Sequence, residues 1–304
     1  MSIFVSGSVA YDTIISTVGT FASNARGEEW SYNLSLFAPS VRIAFWGTGH
    51  NIAYNLGLLW YRNHTHLVAC VGHDFDYTRY STMIDYIHLT QDDTALTGHA
   101  YMINDDNNAQ IISFHPWALW SWMLSIPNHP YSYAIIAPND KPIMIAHLHA
   151  ARQSWAIVFF DPGQQLWLFT KEDIIWLQSS IDYLICNESE GEHIAILFNT
   201  TIENLHTIFP KLIVTKGENW VKYWDNEIIW NVPVYPTEQL IDPTGAWDAL
   251  RWWLLAGLMS GKSLEISLWY WVILWSLVVS HQGTMEHTIT MEELQSKYRL
   301  RKGE

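Results

Sequence analysis

Cysteine is nearly absent from this 304-residue chain, which has only Cys70 and Cys186. One disulfide at most is open to it, and a chain of this length with 49% hydrophobic residues builds its core without one. A reducing compartment, the cytoplasm, is the expected location. Basic residues are scarce as well, with Lys+Arg 16 against Asp+Glu 30 and a formal net charge of −14. So acidic a surface repels a nucleic-acid backbone, and no run of Lys or Arg forms a local basic groove. No long apolar run is present either. The apolar stretch 266–282 contains polar residues and falls short of the roughly 20 apolar residues that cross a bilayer. The start, MSIFVSGSVAYD, lacks a basic n-region and reads as a buried first strand, not a signal peptide. A soluble protein without nucleic-acid or membrane partners is expected. The 14 histidines show no H-x-x-x-H spacing and the cysteines no paired spacing, so no transition-metal site is assigned. A Walker A motif and a hydrolase nucleophile elbow are also missing.

Glycine is the most informative scarcity. The chain has 16 Gly beside 18 Trp, although glycine ordinarily makes up about 7% of residues and tryptophan is among the rarest.

What is present is a rhythm of short β-branched or apolar runs with helical segments between them. These runs are Ile3 to Val5, His66 to Val71, Tyr133 to Ile136, Ala156 to Phe160, Tyr183 to Cys186 and Leu212 to Thr215. Strands alternating with helices imply an α/β protein with a mostly parallel sheet covered on both faces. Two regions, about 13–44 and 93–114, alternate polar and apolar residues and carry few helix signals, which predicts antiparallel strands forming a small lid. No internal repeat and no low-complexity linker divides the chain, so residues 1–304 read as one domain with that lid inserted.

The segment with the clearest chemistry is Ile241-Asp242-Pro243-Thr244-Gly245-Ala246-Trp247-Asp248-Ala249-Leu250-Arg251, followed by the apolar run from Leu254. A Gly-containing turn that opens a helix aims unpaired N–H groups at one point and binds phosphate there. A carboxylate at Asp248 accepts the proton of an attacking hydroxyl while the amides stabilise the phosphoryl oxygens. The alternative is an ordinary cap and first-turn acid.

With this segment the chain resembles the PfkB/ribokinase family of sugar and nucleoside kinases, whose signature is close to DTTGAGD. Further blocks follow in the family's order: Gly7-Ser8-Val9-Ala10-Tyr11-Asp12, Trp46-Gly47-Thr48-Gly49-His50-Asn51, Asn187-Glu188-Ser189-Glu190 and Thr215-Lys216-Gly217. Within the family, Leu34 to Phe37, Ile112 to Pro116, Asp161 to Leu166 and His281 to Thr284 resemble the bacterial adenosine-kinase-like branch. The resemblance implies a ribokinase-like three-layer α/β/α sandwich with a small β-sheet lid. It implies Asp248 as catalytic base, and Gly245, Ala246 and Trp247 as the anion hole. Asp12 and Asn51 resemble the pair that holds ribose hydroxyls, and Ser8, Gly47, Gln164 and Gln165 resemble further substrate contacts. The two glutamines read equally well as a solvated turn. Phe114 either stacks on a purine base or fills a core. Asn187 and Glu190 match N-x-x-E, which orients Mg²⁺ through water, a metal that prefers oxygen ligands; a solvated helix residue is the other reading of Glu190. Thr215, Lys216 and Gly217 resemble the nucleotide-side turn, with Lys216 alternatively an exposed lysine. A homodimer through the lid is implied by resemblance alone.

The departures from the family share one residue type. Trp46, Trp60, Trp117, Trp220, Trp247 and Trp253 stand where the family has glycine. Glycine serves such places because the backbone needs φ > 0 or because a ligand or another backbone comes close, and indole meets neither need. Overpacking and forced φ > 0 at six sites would rival a domain's whole stability of about 5 to 15 kcal/mol. Reading every Trp as Gly also restores ordinary turns around Trp30, Trp224 and Trp230. A gene that uses UGA for glycine, translated as if UGA meant tryptophan, accounts for all eighteen. Smaller departures are His50, Ser280 and Met285.

The expected activity is transfer of the γ-phosphate of ATP, with Mg²⁺, to the primary 5′-hydroxyl of a nucleoside, adenosine first. A ribokinase-like sugar kinase is the nearest alternative. A non-catalytic nucleotide-binding relative, or a chain that does not fold, follows if the tryptophans are genuine.

Overall fold

The computed structural model describes residues 1–26, 33–107, 109–121, 128–216, 220–226, 228–237, 254–281 and 283–302. Among these, β1 (Ile3–Ser6), β6 (Thr65–Val68), β11 (Tyr133–Ile136), β12 (Ile157–Phe160), β13 (Tyr183–Asn187) and β14 (Lys211–Lys216) pair in parallel. The hairpin of β15 (Trp220–Asp225) and β16 (Ile228–Pro233) continues the sheet antiparallel, in the order β16-β15-β14-β13-β12-β11-β1-β6.

Both faces of this sheet are covered, which is why its strands read as unbroken apolar runs. Ile3 and Val5 of β1 face one core with Ile52 and Leu56 of α2 (Thr48–Leu58) and Leu268 and Trp271 of α6 (Leu264–Val278). Phe4 faces the opposite core with Met144 and Leu148 of α3 (Lys141–Gln153), Ile174 of α4 (Lys171–Leu177) and Ile194 of α5 (Glu188–Leu197). The period of two along the strand sends alternate side chains to the two layers. Further helices are α1 (Phe21–Asn24) and α7 (Met291–Lys302), whose Leu294 joins the α2 and α6 layer. This is the α/β/α sandwich expected from the sequence. Among the described residues no helix is long and apolar enough to cross a membrane.

A second sheet has the order β10-β9-β2-β5 and is made of β2 (Ala10–Ser16), β5 (Ser40–Trp46), β9 (Gly98–Asn104) and β10 (Gln110–His115). Two minor pairs, β3 (Ala25–Arg26) with β4 (Asn33–Leu34) and β7 (Cys70–Gly72) with β8 (Thr90–Asp92), complete the strands. The run from His66 to Val71, expected as one strand, is thus divided. β6 stays in the main sheet, and β7 leaves it to pair with β8.

The tryptophans fall into two groups. Trp60, Trp117 and Trp155 have φ of 69°, 44° and 64°, in the left-handed region, a genuine outlier for a bulky side chain. Trp60 ends α2 with its N–H on Gly57 O (3.0 Å) and the Tyr61 N–H on Leu56 O (3.0 Å). Trp155 ends α3 in the same way, with its N–H on Arg152 O (3.1 Å) and the Ala156 N–H on Ala151 O (3.3 Å). This paired pattern is the Schellman helix end, whose left-handed residue is usually Gly and sometimes Asn. Two other helix ends in the chain show the rule, with Asn199 at φ 52° and Gly261 at φ 70°.

Trp46 and Trp220, by contrast, are strand residues without positive φ. Trp224 and Trp230 do not sit in turns, contrary to the reading of their neighbours. Trp224 is a buried residue of β15, and Trp230 of β16 stacks on Tyr223 at 5.1 Å. The tight bend of that hairpin includes Asn226, at φ 54°. Trp30, Trp247 and Trp253 lie outside the described residues.

Candidate active site

In a parallel sheet every strand ends on the same side, and ligands bind in the crevice beyond those carboxyl ends. The candidate residues gather there. Ser8 follows β1, Gln164 and Gln165 follow β12, Asn187 ends β13, and Thr215 and Lys216 end β14.

Around Ser8 the chain is tightly built. The Ser8 hydroxyl accepts from the Thr48 N–H at 3.1 Å, and its carbonyl accepts from the His50 N–H at 3.2 Å. Gly47 caps α2 with φ 110°, and a Cβ placed on it would lie 2.4 Å from Ser8 O. A Cβ on Gly49 would lie 2.8 Å from the Gly7 carbonyl carbon. Only hydrogen at these positions lets the start of α2 touch the end of β1. That contact sets Asn51, one turn into α2 and 1% exposed, beside the crevice. His50 faces the other way, into a box of Phe45, Phe75, Tyr80 and Tyr86, with Nε2 2.9 Å from the Tyr86 hydroxyl. Burial pushes its imidazole down to about 3, so it is neutral.

The small sheet supplies the opposite wall. Lateral neighbours share a face, and the register sets Ala44, Asp12, Ala100 and Phe114 in one row across β5, β2, β9 and β10. Asp12 is 4% exposed and Phe114 is 52% exposed, two strands or about 10 Å apart. A carboxylate and an open aromatic ring therefore stand on one surface. Of Phe114's two readings, the exposed ring excludes the core.

At the end of β13, Asn187 caps α5 through a reciprocal capping box. Its Oδ1 accepts from the Glu190 N–H and its N–H donates to Glu190 Oε2, both at 2.8 Å. Glu190 is buried at 8% exposure and is not a solvated helix residue. Thr215 lies beside Asn187 in the register, and its buried Oγ1 has no hydrogen-bond partner among the described residues. Lys216 is partly buried and pairs with Glu188 at 2.7 Å. Gln164 is exposed and Gln165 half-buried in a single 3₁₀ segment. Asp248, Gly245, Ala246, Trp247 and Gly217 lie outside the described residues. Among the described residues no cluster of three or more His, Cys, Asp or Glu is placed to hold a metal.

One residue at this edge has no sequence signal. Asn139, just past β11, is 4% exposed with Nδ2 unpartnered among the described residues. Its neighbour Pro138 accepts the Ser8 N–H at 3.2 Å, which sets it at the same rim.

Known proteins place this arrangement. The nucleoside kinase of Methanocaldococcus jannaschii is 29% identical over 245 residues, 77% of this chain and 78% of that protein. The crystal structure of a nucleoside kinase from the same organism, an archaeal member of the ribokinase family, superposes with a TM-score of 0.88 at 26% identity over 98% of each chain. Burkholderia thailandensis nucleoside kinase in complex with inosine shares the fold, with a TM-score of 0.82 at 24% identity over 100% of this chain and 99% of that one. Residues 33–291 match the family described as pfkB family carbohydrate kinase. The chain belongs to that family, and it is a phosphotransferase with an alcohol group as acceptor.

Proposed function

We propose that this protein is a nucleoside kinase that transfers the γ-phosphate of ATP to the 5′-hydroxyl of a nucleoside, adenosine first. The observation that carries this reading is the row holding Asp12 and Phe114 on one face of the small sheet. It offers a carboxylate for sugar hydroxyls and, about two strands away, an exposed ring for a base. A free furanose would have no use for that ring. Two relatives named as nucleoside kinases support the acceptor class.

In this reading Ser8, Gly47 and Asn51 bind the sugar from the main domain, and Gln164 and Gln165 border it. The small sheet acts as a lid that excludes water and so limits hydrolysis of ATP. Asp248 accepts the proton of the 5′-hydroxyl, and the amides of 245–247 hold the phosphoryl oxygens. Thr215, Lys216 and Gly217 line the nucleotide side. Asn187 and Glu190 supply the oxygen donors that Mg²⁺ held through water prefers. The ion, when bound, neutralises charge on the phosphates.

The protein acts in the cytoplasm and forms a homodimer through the lid. Opposite the Asp12 row, Val41, Ile43, Tyr101 and Ile111 share the other face at 62%, 58%, 43% and 41% exposure, an apolar surface that a second copy covers. Sedimentation should give twice the chain mass, and Ile43→Glu should halve it.

Incubation with ATP and, in turn, adenosine, inosine, uridine and ribose tests the acceptor. The expected product is adenosine 5′-monophosphate, identified by its phosphorus–proton coupling. Phosphorylation of ribose but of no nucleoside would overturn the reading.

A further inference from the structure

A buried polar network joins α2 to the segment 284–287. Thr284 Oγ1 donates to Asn51 Oδ1 at 2.9 Å, and Asn55 Nδ2 donates to the Asn51 carbonyl at 2.7 Å. His287 Nε2 lies 2.6 Å from Asn55 Oδ1, and the Tyr54 hydroxyl donates to the His287 carbonyl at 3.2 Å. Asn51, Asn55, Thr284 and His287 are exposed by 1%, 1%, 5% and 0%.

The direction of these bonds follows from one end. A backbone carbonyl only accepts, so the Asn55 amide turns its NH₂ to Asn51 O and its oxygen to His287. His287 then carries its proton on Nε2. Burial keeps that ring neutral, pushed down to about 3. At the other end, the Thr284 hydroxyl holds the Asn51 side-chain amide. Left to rotate, that amide has several orientations, and a residue 233 positions away in the chain restrains it.

We infer that Thr284 is a positioning residue of the substrate pocket. Its hydrogen bond restrains the Asn51 side chain, so that Asn51 and Asp12 together recognise the hydroxyls of a ribose ring and disfavour deoxynucleosides. This rests on the reading of Asn51 as a sugar contact. A site built to hydrogen-bond a hydroxyl discriminates strongly against the analogue lacking it, provided its own groups are held in place.

The test is equilibrium binding, by calorimetry, of adenosine and its 2′- and 3′-deoxy forms to the parent, Thr284→Val, Thr284→Ala, Thr284→Ser and Asn51→Ala, with thermal melting of each. Loss of one buried hydrogen bond predicts roughly tenfold weaker adenosine binding in the Val and Ala variants. A similar shrinkage of the ribose-over-deoxyribose preference is expected, with parent-like values in Thr284→Ser. The Ala variant removes the hydroxyl without the bulk of Val, so a folding defect in one does not decide the result. Unchanged discrimination in a folded Val or Ala variant, with Asn51→Ala impaired, would overturn the role of Thr284. Unimpaired binding in Asn51→Ala would instead overturn the reading of Asn51 itself.

A separate observation, the backbone dihedrals, carries a second inference. The geometry points to glycine as the working residue at 60, 117 and 155, of which only 60 and 117 match family glycines. Trp60 and Trp155 occupy the left-handed position of two Schellman ends with side chains 86% and 91% exposed, so packing gives nothing in return for the strain. In the source gene the codons for 60, 117 and 155 should be UGA, and the native peptides spanning 60 and 155 should have glycine masses. UGG codons with tryptophan masses would overturn it.

Discussion

The junction of β1 with α2 and the ends of α2 and α3 present the same need, a backbone without a side chain, and meet it with different residues. At the junction Gly47 and Gly49 stand where a Cβ would come within 3 Å of backbone. At the helix ends only φ is constrained, space is open, and tryptophan sits there. The difference separates the two costs of losing glycine. A steric clash between backbones has no relief. A left-handed bulky residue at the surface costs about 1 to 2 kcal/mol and leaves the fold intact.

The substitution with the largest expected effect is at the proposed catalytic base. Asp248→Asn should lower turnover by roughly 10² to 10⁴ with nucleoside binding retained, measured by ADP release and calorimetry. Full turnover in that variant would remove the base from the account. Next, Gly47→Ala should cost about 3 to 5 kcal/mol in urea unfolding, because overpacking and strain at φ 110° add together. A parent-like midpoint would mean that the β1 and α2 contact has room for a methyl group.

Acidification probes the histidines packed behind that junction. His50 and His287 are held near pKa 3 by burial, below their unfolded value of about 6.5. The unfolded chain therefore binds more protons between these values, and stability rises with pH across that window. Going from pH 7 to 5 should remove about 2 kcal/mol for each group. His50→Phe should flatten the slope of stability against pH, and an unchanged slope would show that His50 does not contribute to it. The smallest effects belong to the helix ends. Trp60→Gly and Trp155→Gly should each stabilise by about 1 kcal/mol and add when combined, since they lie in different helices. Destabilisation would mean that the indoles hold the turns together.

The layered α/β fold was legible because strands buried on both faces leave long apolar runs, as at Tyr133–Ile136 and Leu212–Thr215. Asp12, Asn51 and Glu190 stood out as candidates through short motifs in family order. Other features have no local signature. The break between β6 and β7 depends on β8, some twenty residues further on, taking β7 away from the main sheet. The Thr284 bond to Asn51 joins parts of the chain 233 residues apart. Asn139 looks like an ordinary turn residue until its buried Nδ2, without a partner among the described residues, is seen. Trp224 and Trp230 misled because their neighbours, Asp225 and Asn226 for the first and Asn231 for the second, are turn formers, while the strands continue through both tryptophans.

The central claim is that this is a nucleoside kinase whose phosphate turn requires glycine at 247. It is tested most directly by comparing ATP-dependent formation of adenosine 5′-monophosphate by the chain as written and by the chain with glycine at all eighteen tryptophan positions. The account predicts phosphoryl transfer by the glycine form, faster by roughly 10² or more, the scale set by losing a donor at such a site. No transfer by the glycine form, or equal rates in the two, would contradict it.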